Sequence, residues 1–233
     1  MKKPEIPANE PERLQCLLST GLLDTQPEER FDRITRIAQH YFKVPITYVS
    51  LVDANRQWFK SKQGIDVTET PRDISFCGHA ILGENVFLIS DAKADERFAD
   101  NPLVTGPPNI RFYAGLPLHG HDGHKIGTLC FVDSKPRDVD DDDIAAMRDL
   151  ADCVEAELKI IHQDQVIVKL RDREIRMRAI LDALGDGELV IEKDGTVASM
   201  SPLVEATLGL SAKEMVGQNA SILLPIDLET PYE

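Results

Sequence analysis

The sequence predicts an α+β fold: an antiparallel sheet of five to six strands with helices packed on one face, then one long helix and a small α+β piece. Three observations predict it. The hydrophobic period switches from helical before residue 43 to strand-like over ITYVSLV (46–52). Asp122-Gly123 joins two β-rich runs in the manner of a tight hairpin. Met147, Val154, Ile161, Val168 and Ile175 recur every seven residues, the mark of a long helix with an apolar seam.

The elements follow in order. Pro4, Pro7 and Pro11 keep the first residues extended, and residues 1–20 form an N-terminal extension and helix. That helix covers 12–20, with Leu14, Leu17 and Leu18 on one side and Gly21 as its C-cap. Pro27 opens the next helix, where Glu28 and Glu29 complement the positive end, and Phe31, Ile34, Ile37, Ala38 and Tyr41 follow at helical spacing to Val44-Pro45. Strand 46–52 turns at Asp53-Ala54-Asn55 and returns as QWFKSK (57–62). Residues 73–82 read as a short helix capped by Asp73 or Ser75, 86–90 as a strand, and 92–109 as a long loop over one face of the sheet. Strands 111–119 and 124–132 close a unit spanning 21–139.

A single helix covers 140–184, with the acid run 140–143 at its positive end. Its seam is Met147, Ala151, Val154, Leu158 and Ile161. A second register, Val166, Leu170, Met177, Ile180 and Leu184, takes over after a skip near 163–165. So long an amphipathic helix needs a partner, and these ten residues are predicted to form a homodimer interface. Residues 185–233 begin a new pattern. Leu189-Val190-Ile191, the turn Lys193-Asp194-Gly195 and Thr196-Val197-Ala198 make a hairpin, followed by helices opening at Ser201-Pro202 and SAKEM (211–215). This last unit is too short to enclose a core and is expected to be incomplete.

The bulk numbers narrow the function classes. Of 233 residues, 26 are basic and 40 acidic, a net charge of −14 that repels nucleic acid and anionic lipid. The four cysteines are far apart, so reduced thiols and a cytoplasmic setting are expected. The N-terminus has no apolar signal region, and no stretch is long and apolar enough to span a membrane. P-loop, GxGxxG, HExxH and GxSxG patterns are absent, so an enzyme is not expected.

Six ordered blocks carry a family resemblance: GLLDTQPEERFDRITRIA (21–38), SLVDANRQWFKSKQGID (50–66), RDISFCGHAIL (72–82), DAKADERFADNPLV (91–104), IRFYAGLPL (110–118) and GTLCFVD (127–133). Over 21–158 the chain resembles the GAF family, in the branch found in bacterial histidine kinases and cyclic-di-GMP enzymes. ILDALGDGELVIEKDG (180–195) and SMSPLVEATLGLSAKEMVGQNASILLP (199–225) resemble the first half of a PAS domain, with Met200-Ser201-Pro202 where many relatives carry aromatic-Asn-Pro. The resemblance implies ligand sensing in a cup between the sheet and its covering loops. Signal would leave through the following helix to a C-terminal output domain, as in two-component or cyclic-di-GMP signalling.

On that basis Phe76, Cys77, His79, Asp91, Phe98, Arg111 and Tyr113 are expected at the cup, around an unidentified small molecule or redox signal. Cys77 is either a thiol activated at a helix start or a buried structural residue. A bilin is not expected, because bilin-binding relatives place Cys beside His and here Gly78 separates Cys77 from His79. His119, His121 and His124 in HGHDGH are weak metal candidates, since the first two share a strand face but a fourth ligand is missing. Two other readings stand: a ligand-free dimerisation platform, and a small-substrate reductase acting through Cys77 or Cys130.

Overall fold

The computed structural model describes residues 1–184 and 187–223. They fall into two compact units, Met1–Gln165 and Val166–Glu233.

The first unit is built on six antiparallel strands: β1 (Ile46–Val52), β2 (Arg56–Gln63), β3 (Glu69–Pro71), β4 (Phe87–Ile89), β5 (Phe112–His119) and β6 (Lys125–Asp133). Their order across the sheet is β3-β2-β1-β6-β5-β4. Both faces are covered. On one lie α1 (Glu10–Ser19), α2 (Glu29–Phe42) and the first turns of α5 (Asp141–Leu184), packed on Leu51, Trp58, Phe112, Leu116, Leu129 and Phe131. The other carries two short helices, α3 (Phe76–Ala80) and α4 (Pro102–Thr105), with Phe98 and Ile110 from the long loop. Strand alternation makes the division. In β6, Leu129 and Phe131 join the first core, whereas Cys130 and Val132 join the second. The three long helices therefore share one face as expected, and the loop predicted over the other face includes one helical turn.

One local expectation shifts, and one open alternative is decided. Pro27 lies before α2, whose N-cap is the extended Glu28, and helical geometry starts at Glu29. Buried Lys60 explains the delay: its Nζ donates to Thr25 Oγ1 at 2.6 Å and to the Gln26 carbonyl at 2.8 Å, holding that segment as an extended lead-in. The α3 N-cap is Ser75, whose Oγ accepts from the Gly78 amide at 3.0 Å. Asp140 caps α5 through its Oδ1, which accepts from the Asp143 amide at 2.8 Å.

The seam of α5 divides. Met147, Ala151, Val154 and Leu158 are buried in the first unit's own core and Ile161 packs against it, so this half of the predicted dimer interface faces the sheet. A seven-residue repeat marks which side of a helix is buried, and a sheet satisfies it as well as a second helix does. Beyond Gln165, Val166, Leu170, Met177 and Ile180 are exposed. The Leu184 side chain lies outside the described residues.

The second unit holds the hairpin β7 (Leu189–Ile191) and β8 (Val197–Met200), then α6 (Pro202–Leu208) and α7 (Ala212–Met215). Short as it is, the unit encloses a small core of Val197, Met200, Met215 and Ala220, which corrects the expectation that it would hold none. Expected features past residue 223 lie outside the described residues.

Candidate functional site

Beneath α3 the sheet gathers thiols and hydroxyls from four elements. Thr128 and Cys130 on β6, Ser50 and Tyr48 on β1, Tyr113 on β5 and Cys77 on α3 converge on the second core. Ser50 Oγ lies 2.9 Å from Thr128 Oγ1, which lies 3.0 Å from Cys130 Sγ. The Tyr113 hydroxyl is 3.2 Å from Cys130 Sγ and donates to Cys77 Sγ at 3.4 Å. The two sulfurs are 3.6 Å apart, and both residues are fully buried. Burial disfavours either thiolate, but at Cys77 it is outweighed by hydrogen bonding from Cys130, Ser50, Thr128 and Tyr113, so that thiol is lowered. Cys130 is pushed up by burial and by its neighbour, so the pair holds at most one charge.

Most of the predicted cup residues fill the cup themselves. Phe76 stacks on Phe98 with centroids 4.2 Å apart and tilts against Tyr113 at 5.0 Å. All three are buried. His79 meets Phe98 edge-on at 4.9 Å, its Nε2 lies 3.1 Å from the Lys2 carbonyl oxygen, and burial lowers its pKa. Arg111 spends its guanidinium on Asp91, donating to both carboxylate oxygens at 2.7 and 2.6 Å. That contact holds the Asp91 carboxyl down at about 2. This pair latches the loop start to β5 at the edge of the core.

The open space lies alongside. A cleft of about 380 Å³ runs between Tyr48 and Phe59 on the sheet and Ile65, Leu103, Pro107 and Pro108 above it. None of the seven predicted cup residues lines it. Gln57, which the sequence reading passed over, does, and it is 2% exposed. Its Nε2 donates to Thr70 Oγ1 at 2.6 Å, while its Oε1 has no hydrogen-bond partner among the described residues. In RQWFKSKQ, Gln57 looks like its polar neighbours, and its burial emerges only when the strand is placed in the sheet. Tyr48 links cleft and thiols, its hydroxyl accepting from Cys77 Sγ at 3.9 Å.

The three histidines of the β5–β6 turn go separate ways. His119 Nδ1 is 2.8 Å from Glu155 Oε1 on α5, and His124 Nδ1 is 3.0 Å from Asp122 Oδ1. The His121 ring stacks on His162 of α5 at 3.8 Å, and its Nδ1 lies 3.7 Å from Cys16 Sγ on α1. Among the described residues the three histidines do not converge on one another, because neighbouring residues at a hairpin tip point to different partners.

The fold and these sites define a class. The GAF domain family matches residues 26–158, more than half of the chain, and the chain belongs to that family. The PAS fold matches residues 175–231. GAF followed by PAS is a sensory signalling module, and both are regulatory domains.

Among relatives, the chain is 37% identical over 198 residues to a cyclic di-GMP phosphodiesterase of Pseudomonas aeruginosa, covering 84% of this chain and 33% of that protein. It is 38% identical over 68 residues to the sensor protein FixL of Bradyrhizobium diazoefficiens, covering 29% of this chain and 14% of that protein. The chain thus spans a third or less of these relatives. Among solved structures, a free methionine-R-sulfoxide reductase from Neisseria meningitidis has a TM-score of 0.50 at 17% identity, covering 70% of this chain and 99% of that one. That likeness is one of fold. Among the described residues, no helix is long and apolar enough to cross a membrane.

Proposed function

We propose that this chain is the input module of a larger bacterial signalling protein, in which the GAF cleft senses a small molecule and α5 relays its occupancy, as a paired helix, to a C-terminal output domain. The observation that carries the reading is the two-sided role of β6. Val132 on one face lines the cleft and Cys130 belongs to the thiol cluster, whereas Leu129 and Phe131 on the other join the core that grips Met147, Ala151, Val154 and Leu158. A displacement of this strand by a bound molecule is felt at the foot of α5, because packed interiors transmit strain. The apolar walls and the unpartnered Gln57 Oε1 favour a compact, mostly apolar ligand bearing one hydrogen-bond donor. The exposed Val166, Leu170, Met177 and Ile180 supply the pairing surface. In the phosphodiesterase relative the matched region is a third of the protein, which supports an output domain of the cyclic-di-GMP class.

Light scattering coupled to size exclusion tests the relay. The wild-type chain elutes at twice its mass, and a Leu170→Glu, Met177→Glu double variant elutes at the single-chain mass with an unchanged melt of the sheet-containing unit. A wild-type monomer at micromolar concentration overturns it.

A further inference from the structure

We propose a second site, remote from the cleft: a three-ligand seat for a zinc-class divalent metal ion formed by Cys16, His121 and Asp122. These residues come from α1 and from the β5–β6 turn, and one ligand atom from each lies within 4.8 Å of the others. The set is a sulfur, an imidazole nitrogen and a carboxylate oxygen. It suits Zn²⁺, Co²⁺ or Ni²⁺ and is the wrong set for Mg²⁺ or Ca²⁺, which take oxygen ligands.

The spacing fits a shared ion. With metal–sulfur and metal–nitrogen bonds of about 2.3 and 2.05 Å, a tetrahedral centre places those two atoms about 3.6 Å apart. Cys16 Sγ and His121 Nδ1 are 3.7 Å apart. The seat is also shaped for the sulfur. Cys16 is 2% exposed, and a Cβ at Gly120 would fall 2.2 Å from its Sγ, so the turn carries glycine where any side chain would expel the thiol. Gly120 donates to the His124 carbonyl at 2.9 Å, and Gly123 donates to the Gly120 carbonyl at 3.1 Å, which sets His121 and Asp122 at the tip over that thiol.

The turn is braced from α5 on both sides of the ligands. Glu155 Oε1 accepts from the His119 amide at 3.0 Å, and His162 lies parallel to His121 within 14°. A metal lies in the plane of the imidazole that binds it, so His162 in this pose orients the His121 ring and is not itself a ligand. His121 and Asp122 are exposed, which leaves the fourth coordination position to solvent. As the ion binds, the Cys16 thiol releases its proton to solvent and a sulfur–metal bond forms. Ion, thiolate and carboxylate then sum to zero charge.

Cobalt(II) titration of the full chain is the test. One equivalent of Co²⁺ per chain is expected to bind with a thiolate-to-cobalt charge-transfer band and the intense visible bands of a tetrahedral centre, both abolished by added Zn²⁺. Cys16→Ser removes the charge-transfer band. His121→Gln and Asp122→Asn, at exposed positions that leave folding intact, each weaken binding at least tenfold. Cys153→Ser, which alters an exposed thiol elsewhere on α5, leaves the spectrum unchanged. Absence of the charge-transfer band in the wild-type chain overturns the site, as does its survival in Cys16→Ser. Should Cys16→Ser fail to fold, unchanged cobalt affinity in both exposed variants overturns it equally.

Discussion

Replacing Leu158 with alanine separates the two halves of α5. Leu158 is 4% exposed and packs in the core that joins α5 to the sheet, whereas Leu170, twelve residues on, is 60% exposed. Truncating a buried leucine costs about 2–4 kcal/mol from lost transfer energy and the cavity left behind. For a unit of this size, that lowers the melting temperature by about 5–15 °C. Leu170→Ala removes no contact within the first unit's core and costs that unit less than about 0.5 kcal/mol. Calorimetric melts of the sheet-containing unit, repeated over a hundredfold range of protein concentration, distinguish a core role from an interface role. The Leu158→Ala loss is independent of concentration, because the partner surface belongs to the same chain. A loss that grows on dilution, or equal losses for the two variants, would refute the division of the helix.

Three further outcomes are expected. Gly64 has φ of +77°, and a Cβ there would meet the Pro45 carbonyl oxygen at 2.0 Å, so Gly64→Ala destabilises the first unit by about 2 kcal/mol or more in a urea melt. Burial raises the Glu10 pKa, but hydrogen bonds and charge from buried Arg13 and Arg72 outweigh it and bring it from 4.5 to about 2. This lowered acid contributes stability above pH 4.5 that is lost as pH falls through about 2, so Glu10→Gln lowers neutral-pH stability by up to about 3 kcal/mol and flattens that acid limb. An aromatic disulfide reagent titrates one thiol per native chain, Cys153, since Cys16, Cys77 and Cys130 are buried, and four after denaturation. Rapid native reaction that is lost in Cys77→Ser or Cys130→Ser would revive an accessible catalytic cysteine.

The sheet was legible wherever side chains alternate. FYAGLPLH and KIGTLCFV state their two faces in sequence, and the structure sends Phe112, Ala114 and Leu116 one way and Tyr113 the other. Strand β3 was not, because Glu69-Thr70-Pro71 is too short to show a period and is defined only by pairing with Arg56, Gln57 and Trp58. Phe76, Cys77, Phe98 and Tyr113 share the second core, but no local pattern says that Phe76 and Phe98 stack on each other and leave the space beside Gln57 open. The histidines drew notice by crowding in one turn. Of the three, only His121 meets Cys16, which the packing of α1 brings to the hairpin and which spacing along the chain does not reveal.

The seven-residue spacing of Met147, Val154 and Ile161 has a consequence in angle rather than energy. An α-helix turns about 100° per residue, so seven residues bring a side chain back to within about 20° of where it began. Inserting one residue between Val154 and Leu158 rotates Leu158 and Ile161 by about 100° away from the sheet core that Met147, Ala151 and Val154 still meet. The side this helix turns to the sheet is therefore written in residue count as much as in residue type.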